Sequence, residues 1–321
     1  METPQFRVVR LLVLLLLALA APFAFYPIFV MKALCFSLFA AAFNLLIGFG
    51  GLLSFGHAAF MGSASYITAY TVKMWGFPPL VGILAGTAVA AALGTVFGWL
   101  AIRRKGIYFA MVTLALSQMV YFFALEAKFT GGEDGIQAVP RGNLFGLIDL
   151  NQPLAMYYLV LAIFLIGFGI VYRAIHSPFG EVLKAIRDNE QRAISLGYNT
   201  DRYKLLAFIL SATLAGLAGA TKALVFQFAS LTDVTWQMSG DVVLMTLVGG
   251  LGTIWGPVAG AFISVTMENY LAQFGSWVTV IQGAIFVVCV LLFRRGVVGE
   301  INYLIARRRG NPPLSKAAAS D

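Results

Sequence analysis

The chain has 321 residues, of which 60% are hydrophobic and 11% are charged. A soluble domain carries about 25% charged residues, so this composition excludes an ordinary soluble enzyme or binding module. The net charge of +8 could suggest nucleic acid, but the basic residues flank apolar stretches as membrane topology requires, and no nucleic-acid partner is expected.

Long uncharged stretches recur along the chain, and each approaches the ~20 residues that a helix needs to cross a bilayer. Divided at glycine and proline clusters, they predict an all-α polytopic membrane protein with ten spans, or eight if some glycine-rich pieces only re-enter the membrane. The predicted spans are residues 11–31, 33–48, 56–72, 78–102, 106–125, 154–172, 205–221, 242–255, 258–272 and 277–293. Residues 1–300 form the transmembrane domain, and 301–321 form a disordered tail.

The N-terminal segment permits two interpretations. Arg7 and Arg10 precede the apolar run "LLVLLLLALAAPFAF", which resembles a cleaved secretory signal. The apolar run continues to Met31 and another span follows at once, which fits a retained first helix better.

Lys and Arg are unevenly divided between the two sides of the predicted membrane. One side collects 17 of the 22, from the N-terminus, the 103–105 turn, segment 173–204 and the tail. The positive-inside rule makes that side cytoplasmic, with both termini on it.

The segment "NLLIGFGGLLSFGHAAFMGSASY", residues 44–66, mixes polar residues with closely spaced glycines. Backbone that leaves helical geometry at membrane depth is tolerated only where protein or a water-filled path satisfies it. We expect either a lining of the translocation path or a plain cytoplasmic turn, with His57 as a ligand or as an interface residue. A similar cluster, "LVGGLGTIWGPVAGA", occupies 247–261 and could reflect an internal repeat. The candidate path residues are Asn44, Gly50, Gly51, Ser54, Gly56, His57, Gly249, Gly250 and Thr253.

Small residues recur every four positions in the predicted fourth span and again in the seventh. This spacing places them on one helix face and predicts close helix packing. The residues are Gly82, Gly86, Ala90, Gly94 and Gly98 in the first set and Ala212, Gly216 and Ala220 in the second.

An outer loop over 126–153 contains "TGGEDGIQAVPRGNLFG", whose Gly, Pro and Asp content predicts ordered turns. The segment 177–208 on the other side is different, because it carries nine of the 36 charged residues. Its periodicity predicts one amphipathic helix from Glu181 to Leu196, about 24 Å long, with Gly197 as its stop. Five positive and four negative charges favour docking to a protein over lying on anionic lipid, with a solvated loop as the alternative.

Nothing in the sequence supports catalysis. The pair Gly-Lys is absent, so there is no phosphate-binding Walker motif, and Cys35 and Cys289 are too few for a metal site.

Four ordered blocks resemble the permeases of branched-chain amino acid ABC importers, specifically the M-type permease of the high-affinity Leu/Ile/Val importer. They are "NLLIGFGGLLSFGHAAFMGSASY", "GIYFAMVTLALSQMVYFFAL" with "TGGEDGI", "GEVLKAIRDNEQRAISLG" with "RYKLLAFILSATLAGLAGA", and "GGLGTIWGPVAGA". The third block is similar to the cytoplasmic coupling loop of this family, here within residues 173–204.

The resemblance implies an inner-membrane importer subunit that moves Leu, Ile or Val and binds no cofactor itself. Two ATPase subunits would bind ATP and Mg²⁺, a paralogous permease would pair with this chain, and a periplasmic binding protein would deliver the amino acid. The residues implied in ATPase coupling are Gly180, Ile186, Arg187, Asp188, Asn189, Glu190, Ala193, Leu196 and Gly197. Arg187 and Glu190 would form ion pairs with the ATPase, and Ile186, Ala193 and Leu196 would be apolar anchors. The residues implied in contact with the binding protein are Thr130, Gly131, Gly132 and Asp134.

The path itself would need no charged wall, with Glu268 at the outer end of a span. Alternatives are a urea or short-amide permease of the same family and an ion-coupled secondary transporter. The latter would need acidic residues inside the membrane. An integral-membrane enzyme is a third alternative, although His57 and His176 lie far apart.

Overall fold

The computed structural model describes residues 16–144, 148–292 and 296–300, most of which are helical. Residues 16–24 form α1. The helices that follow are α2 (Pro27–Asn44), α3 (His57–Lys73), α4 (Pro79–Ala101), α5 (Ile107–Glu126), α6 (Pro153–Ile175), α7 (Pro178–Asp188), α8 (Glu190–Ser195), α9 (Thr200–Phe226), α10 (Trp236–Gly249), α11 (Gly256–Leu271) and α12 (Val278–Leu292). Strands β1 (Asn143–Leu144) and β2 (Ile148–Asp149) form a small antiparallel hairpin.

Within the described residues, five helices are long and apolar enough to cross a membrane. They are Pro27–Phe49, Pro79–Ala101, Ile107–Glu126, Pro153–Ile175 and Thr200–Phe226. The fold class of a helical membrane protein is thereby confirmed, whereas the count of ten spans stays a prediction. Arg7, Arg10, the start of span 11–31 and the tail 301–321 lie outside the described residues.

Several predicted helix boundaries are wrong. The sequence predicts that the first two spans are divided at Lys32. The structure instead begins α2 at Pro27, because proline suits the first turn of a helix. Helix α9 continues to Phe226, and α10 begins at Trp236. Lys222 and Asp241 therefore lie within helices and not in the connection between them.

Helix α2 occupies the centre of the bundle. In the most apolar stretch of α2, 89% of the residues are buried, compared with 28% in α5 and 33% in α4. Helices α4, α5 and α6 present large apolar side chains to the outside, such as Trp99, Phe122 and Ile166. Such an outer surface suits contact with lipid, because hydrocarbon solvates apolar side chains. The backbone groups of these helices need no partner in the lipid, since their hydrogen bonds are made within each helix.

The predicted small-residue stripes are confirmed as packing surfaces. All five stripe residues of α4 are buried. A Cβ added at Gly86 would lie 2.6 Å from the carbonyl oxygen of Ala64 in α3, and one at Gly94 would lie 2.4 Å from the Cβ of Ala212 in α9. Helix α4 thus packs closely against α3 and α9, and small side chains make that approach possible.

We predict that Gly216→Leu lowers the thermal unfolding midpoint of the purified protein. A Cβ at Gly216 would lie 2.1 Å from the Cβ of Ala90, so the larger side chain must push α4 and α9 apart, at a cost of about 1–3 kcal/mol or more. Gly169→Leu in α6 is the matched control, because no atom lies within 4 Å of that position. Equal losses in both variants would contradict the packing argument.

Candidate functional site: the coupling segment and its junction with the bundle

The coupling segment, residues 177–204, leaves the bundle through a tight turn between α6 and α7. Pro178 stands at the first turn of α7, and the hydroxyl of Ser177 donates to the carbonyl oxygen of Ala174 at 2.7 Å. A Cβ at Gly180 would lie 2.3 Å from the carbonyl oxygen of Ile175. The turn itself therefore requires glycine at position 180. This structural role of Gly180 is not visible in the sequence pattern.

The prediction of one continuous helix from Glu181 to Leu196 is wrong. The segment breaks at Asn189, whose backbone is extended at φ −158° and ψ 99°. The Asn189 side chain accepts a hydrogen bond from the Arg192 N–H at 3.0 Å and so caps α8. Gly197, with φ of +87°, follows α8 as the predicted stop. The coupling segment is two short helices joined by a capped corner.

The apolar residues of the coupling segment divide between the bundle and the surface. Leu183, Ile186 and Ala193 are buried within the chain, whereas Leu196 is 69% exposed. Leu183 packs on Gly50, where a Cβ would lie 3.6 Å from the Leu183 Cδ1. The buried positions of Ile186 and Ala193 correct their interpretation as anchors for a partner, since they offer no surface to one. Leu196 keeps that possibility, and Ile194 and Tyr198 beside it are exposed as well.

Arg187 joins the coupling segment to the bundle. Its Nη1 donates to the carbonyl oxygen of Gly48 at 2.5 Å, and its Nε and Nη2 donate to Asp188 Oδ1 at 3.2 and 3.0 Å. The stem of Arg187 lies over Gly51, where a Cβ would be 2.8 Å from the Arg187 Cγ. Gly51 also has φ of +69°, a conformation that glycine adopts without strain. The predicted ion pair between Arg187 and an ATPase stays a prediction, but the guanidinium already has partners in this chain.

Gly48 belongs to a distorted turn that extends α2. Residues Leu45–Phe49 are π-helical, a geometry that often marks functional sites. Asn44 stands at the start of this turn and is buried. Its Nδ2 donates to the Thr253 carbonyl oxygen at 2.9 Å, and its Oδ1 accepts from the Gly252 N–H at 3.1 Å.

Both glycine clusters of the sequence therefore meet at one place. We call Asn44, residues 48–51 and residues 249–253 the glycine junction. Gly249 ends α10 at a close approach to α11, where a Cβ would lie 1.8 Å from the Gly256 carbonyl oxygen. Gly250 and Thr253 shape the turn that follows, since the Thr253 hydroxyl donates to the Gly250 carbonyl oxygen at 2.8 Å. The junction lies directly beneath α7.

Ser54, Gly56 and His57 lie apart from this junction. The Ser54 hydroxyl oxygen accepts from the Gly56 N–H at 3.2 Å. His57 Nε2 lies 2.8 Å from Ser211 Oγ, whose proton goes to the Ala42 carbonyl oxygen. His57 Nε2 is therefore the donor. The imidazole is buried with its ring centroid 4.9 Å from that of Phe43, which gives His57 the surroundings of a core residue that holds α2, α3 and α9 together.

Glu190 fastens the second half of the coupling segment. Its carboxylate accepts from Lys204 at 2.6 Å and pairs with Lys105 at 3.1 Å, so it links α8 to α9 and to the α4–α5 turn. Partial burial alone would raise the pKa of Glu190, but the hydrogen bonds and charges of the two lysines outweigh that effect and hold its pKa below the ordinary value. Lys105 lies 85 positions from Glu190 in the sequence, and no local pattern indicates the pair.

The outer loop is ordered, as its composition predicted. It contains the 3₁₀ turns Lys128–Thr130 and Gly132–Asp134 and the β1–β2 hairpin. Backbone hydrogen bonds of 2.9 and 3.0 Å join Ile136 to Ala229 beyond α9, and Arg141 donates to the Val225 carbonyl oxygen at 2.7 Å. The loop therefore covers the end of α9.

Not all of the residues proposed to contact a binding protein are accessible. Thr130 is buried, and its hydroxyl donates to the Ala124 carbonyl oxygen at 2.6 Å, so Thr130 is a structural residue of the loop. Gly131 and Asp134 are exposed, and Gly132 is partly exposed. These three remain candidates for that contact.

The comparisons with known proteins decide the family. A sequence model of the family described as "Branched-chain amino acid transport system / permease component" matches residues 27–290. The chain belongs to this family. It is 28% identical to the high-affinity branched-chain amino acid transport system permease protein LivM of Salmonella typhimurium and 27% identical to LivM of Escherichia coli. Both alignments cover 79% of this chain but 65% of the relative, so the chain spans about two thirds of the length of these curated relatives.

Relatives with other cargo names also match. The fructose import permease protein FrcC of Rhizobium meliloti is 27% identical over 78% of this chain and 72% of its own length. The ribose import permease protein RbsC of Escherichia coli is 26% identical over 61% and 62%, respectively. No solved structure matches the chain. The relatives are named as permease proteins of transport or import systems, and their names differ in cargo.

We predict that Asn44→Ala loosens the glycine junction. The substitution leaves the Gly252 N–H and the Thr253 carbonyl without their partner, at about 1–3 kcal/mol for each buried group. Hydrogen exchange at residues 250–255 should accelerate, and the unfolding midpoint should fall. Asn143→Ala, at an exposed asparagine of β1, serves as the control and should change neither quantity. Unaltered exchange at Gly252 in Asn44→Ala would contradict the role of Asn44.

We predict that Glu190→Gln destabilises the coupling segment at neutral pH, because Lys204, only 5% exposed, loses its anionic partner. The depressed pKa of Glu190 means that its stabilising contribution is present above the ordinary value of 4.5 and is lost as pH falls through the folded-state pKa below it. Hydrogen exchange of residues 190–203 at pH 7 should be faster in Glu190→Gln. The unfolding midpoint should fall less between pH 6 and pH 3 in this variant than in the unsubstituted protein.

Lys105→Gln is the matched control, since the Lys105 side chain is 60% exposed and screened by solvent. It should change the exchange of residues 190–203 little. If Lys105→Gln and Glu190→Gln behave alike, the buried Lys204 contact is not what holds α8.

Proposed function

We propose that this chain is the permease subunit of an ATP-driven importer of the bacterial inner membrane, that it carries branched-chain amino acids, and that both of its termini are cytoplasmic. Membership of the family and the names of the LivM relatives support this proposal. The mechanism is argued from the contacts of the coupling segment. One face of the segment binds the bundle, and the other face is exposed.

The free face of the coupling segment fits a protein partner. It exposes Leu196, Ile194 and Tyr198 near the charged residue Arg192 of α8, and Glu181 is exposed on α7. Apolar residues ringed by charges of both signs are typical of a specific protein interface. We assign this face to the ATPase subunits, two of which would serve an assembled importer and bind the ATP and Mg²⁺.

The fixed face defines how a push from the ATPase would travel. Movement of α7 would act on α2 through Arg187 and the Gly48 carbonyl, and movement of α8 would act on α9 through Glu190 and Lys204. Each contact joins a surface helix to a long helix of the bundle. Coupling of this kind needs packed contacts between the moving segment and the bundle, and we assign that part to these two contacts.

The other partners follow from the remaining surfaces. The exposed apolar faces of α4, α5 and α6 fit membrane lipid and a second permease, either a copy or a paralogue. The outer loop, with Gly131, Gly132 and Asp134, would face a periplasmic binding protein, since the loop lies at the end of the bundle opposite the coupling segment.

A sugar is the alternative cargo, because FrcC and RbsC are named for fructose and ribose. Urea or a short amide remains a third possibility on the resemblance alone. Competition of labelled leucine uptake by unlabelled leucine, ribose or urea separates these cargoes.

The proposal is tested by reconstituting the chain with its partner permease, ATPase subunits and binding protein in vesicles. We expect leucine uptake that requires ATP, and we expect Arg187→Ala to reduce uptake about tenfold or more while the protein still inserts. This size corresponds to the loss of a hydrogen bond from a charged group, about 1.5–3 kcal/mol. Substrate-stimulated ATP hydrolysis should fall in parallel.

Arg104→Ala is the control, because Arg104 is an exposed basic residue of the α4–α5 turn, outside the coupling segment and outside residues 173–204. Uptake by this variant should be normal. Normal uptake by Arg187→Ala, or uptake by the chain without ATPase subunits, would show that the assignment is wrong.

A further inference from the structure

A cavity of about 530 Å³ lies at the end of the bundle opposite the coupling segment. Its walls come from α2, α9, α10, α11 and α12 and from the connection between α9 and α10, which includes Asp233. The position follows from the helices themselves, since Lys222 is 22 residues beyond the start of α9, or about 33 Å from the end that carries the coupling segment. Glu268 stands near the far end of α11, whose other end begins at the glycine junction.

The cavity wall carries charges of both signs, contrary to the expectation of a path without a charged wall. Lys222 donates to Asp233 Oδ1, and Lys32 pairs with Glu268 at 2.8 Å. Asp241 also lines the cavity and makes no hydrogen bond or ion pair with any residue that the structure describes. The cavity thus contains two lysines and three carboxyl groups, which leaves one carboxyl group without a cation.

Two further polar atoms of the wall are buried without a partner among the described residues. They are Asp233 Oδ2 and Ser264 Oγ, and both residues are 1% exposed. A buried polar atom without a hydrogen bond costs about 1–3 kcal/mol. Both residues belong to the wall of the cavity, so a ligand there would lie next to groups that lack hydrogen bonds.

The rest of the wall is apolar. Phe36, Phe226 and Met245 line the cavity beside the charged groups. A volume of about 530 Å³ falls within the range of small-molecule sites, in which a few placed polar groups orient a ligand against an apolar wall.

We propose that this cavity is a binding site for a zwitterionic amino acid with an apolar side chain, a proposal that rests on the proposed function. The α-ammonium group would bind Asp241, which has no cation among the described residues and lines the cavity together with Asp233. The α-carboxylate would bind Lys32 and the Ser264 hydroxyl. Glu268 is about half exposed, so water can solvate it when Lys32 turns to the ligand.

The same wall disfavours the other cargo classes. A neutral sugar brings no cation to pair with Asp241, in a site partly removed from water. A bound metal ion is also disfavoured, because no group of three or more His, Cys, Asp or Glu side chains in the described part of the chain is placed to hold one. Asp241 therefore favours a ligand with a cationic group, and the anionic group of an amino acid would bind Lys32 as proposed.

The test follows the accessibility of a thiol in the cavity. Met238, which lines the cavity, is replaced by Cys in a chain that also carries Cys289→Ser, while the buried Cys35 is retained. Alkylation is measured on the complete permease–ATPase complex in lipid nanodiscs without binding protein. Leucine should slow alkylation about fivefold or more, as a ligand that covers the thiol would. Leucinol, which lacks the carboxylate, 4-methylpentanoate, which lacks the ammonium group, and ribose should protect weakly or not at all.

Asp241→Asn should raise the leucine concentration for half-maximal protection about tenfold or more, because a hydrogen bond between charged groups is lost. Alkylation without leucine should be unchanged, which shows that the cavity is intact. Glu126→Gln, at an exposed carboxylate at the end of α5, is the control and should leave protection unchanged. If Asp241→Asn fails to insert, Ser264→Ala replaces it, since this hydroxyl has no described partner to lose and its removal should still weaken protection severalfold.

The failure of this inference is distinguishable from that of the proposed function. A complex that transports leucine but shows no protection by leucine, or equal protection in Asp241→Asn, overturns the site and leaves the transport function standing. A complex that transports ribose and is protected by ribose overturns both.

Discussion

The membrane offers no hydrogen bonds, so every backbone group that leaves helical geometry within the bundle must find a partner in the protein. Helix α2 leaves that geometry at Leu45–Phe49, and the Gly48 carbonyl oxygen is taken by Arg187 from outside the bundle. The side-chain amide of Asn44 holds the neighbouring turn of residues 250–253, because its nitrogen donates one hydrogen bond and its oxygen accepts another. A distortion in the central helix is thereby stabilised by the coupling segment that would be expected to move it.

The two ends of the bundle are built for different tasks. At one end, glycines allow α7 to lie directly on the backbone of α2, and charged contacts fix the coupling segment to the long helices. At the other end, charged side chains face a cavity and the ordered outer loop covers the end of α9. Between the two ends, α3, α4 and α9 pack closely through small residues. A tightly packed middle can transmit a displacement from one end to the other, because close-packed interiors compress little.

Several features of the protein followed from the sequence. The apolar stretches predicted a helical membrane protein, the four-residue spacing predicted the α4 packing stripe, and the charged segment predicted an amphipathic helical segment with a stop at Gly197. The break at Asn189 and the burial of Ile186 and Ala193 against the chain itself were not predicted. The boundaries were less secure. A hydropathy pattern ends a predicted span at a charged residue. Lys32 and Asp241 are therefore predicted to lie between spans, although Lys32 lies in α2 and Asp241 in α10.

What the sequence by itself determined is the class of the protein, the family pattern and the existence of a charged segment between apolar spans. These depend on composition and local periodicity, which need no knowledge of distant contacts. Only the tertiary structure decided that the two glycine clusters, some 200 residues apart, form one junction, that Arg187 and Glu190 bind within the chain, and that Lys32, Lys222, Asp233, Asp241 and Glu268 surround one cavity. The physical reason is that each of these sites depends on the packing of long helices, which brings together residues that are remote along the chain.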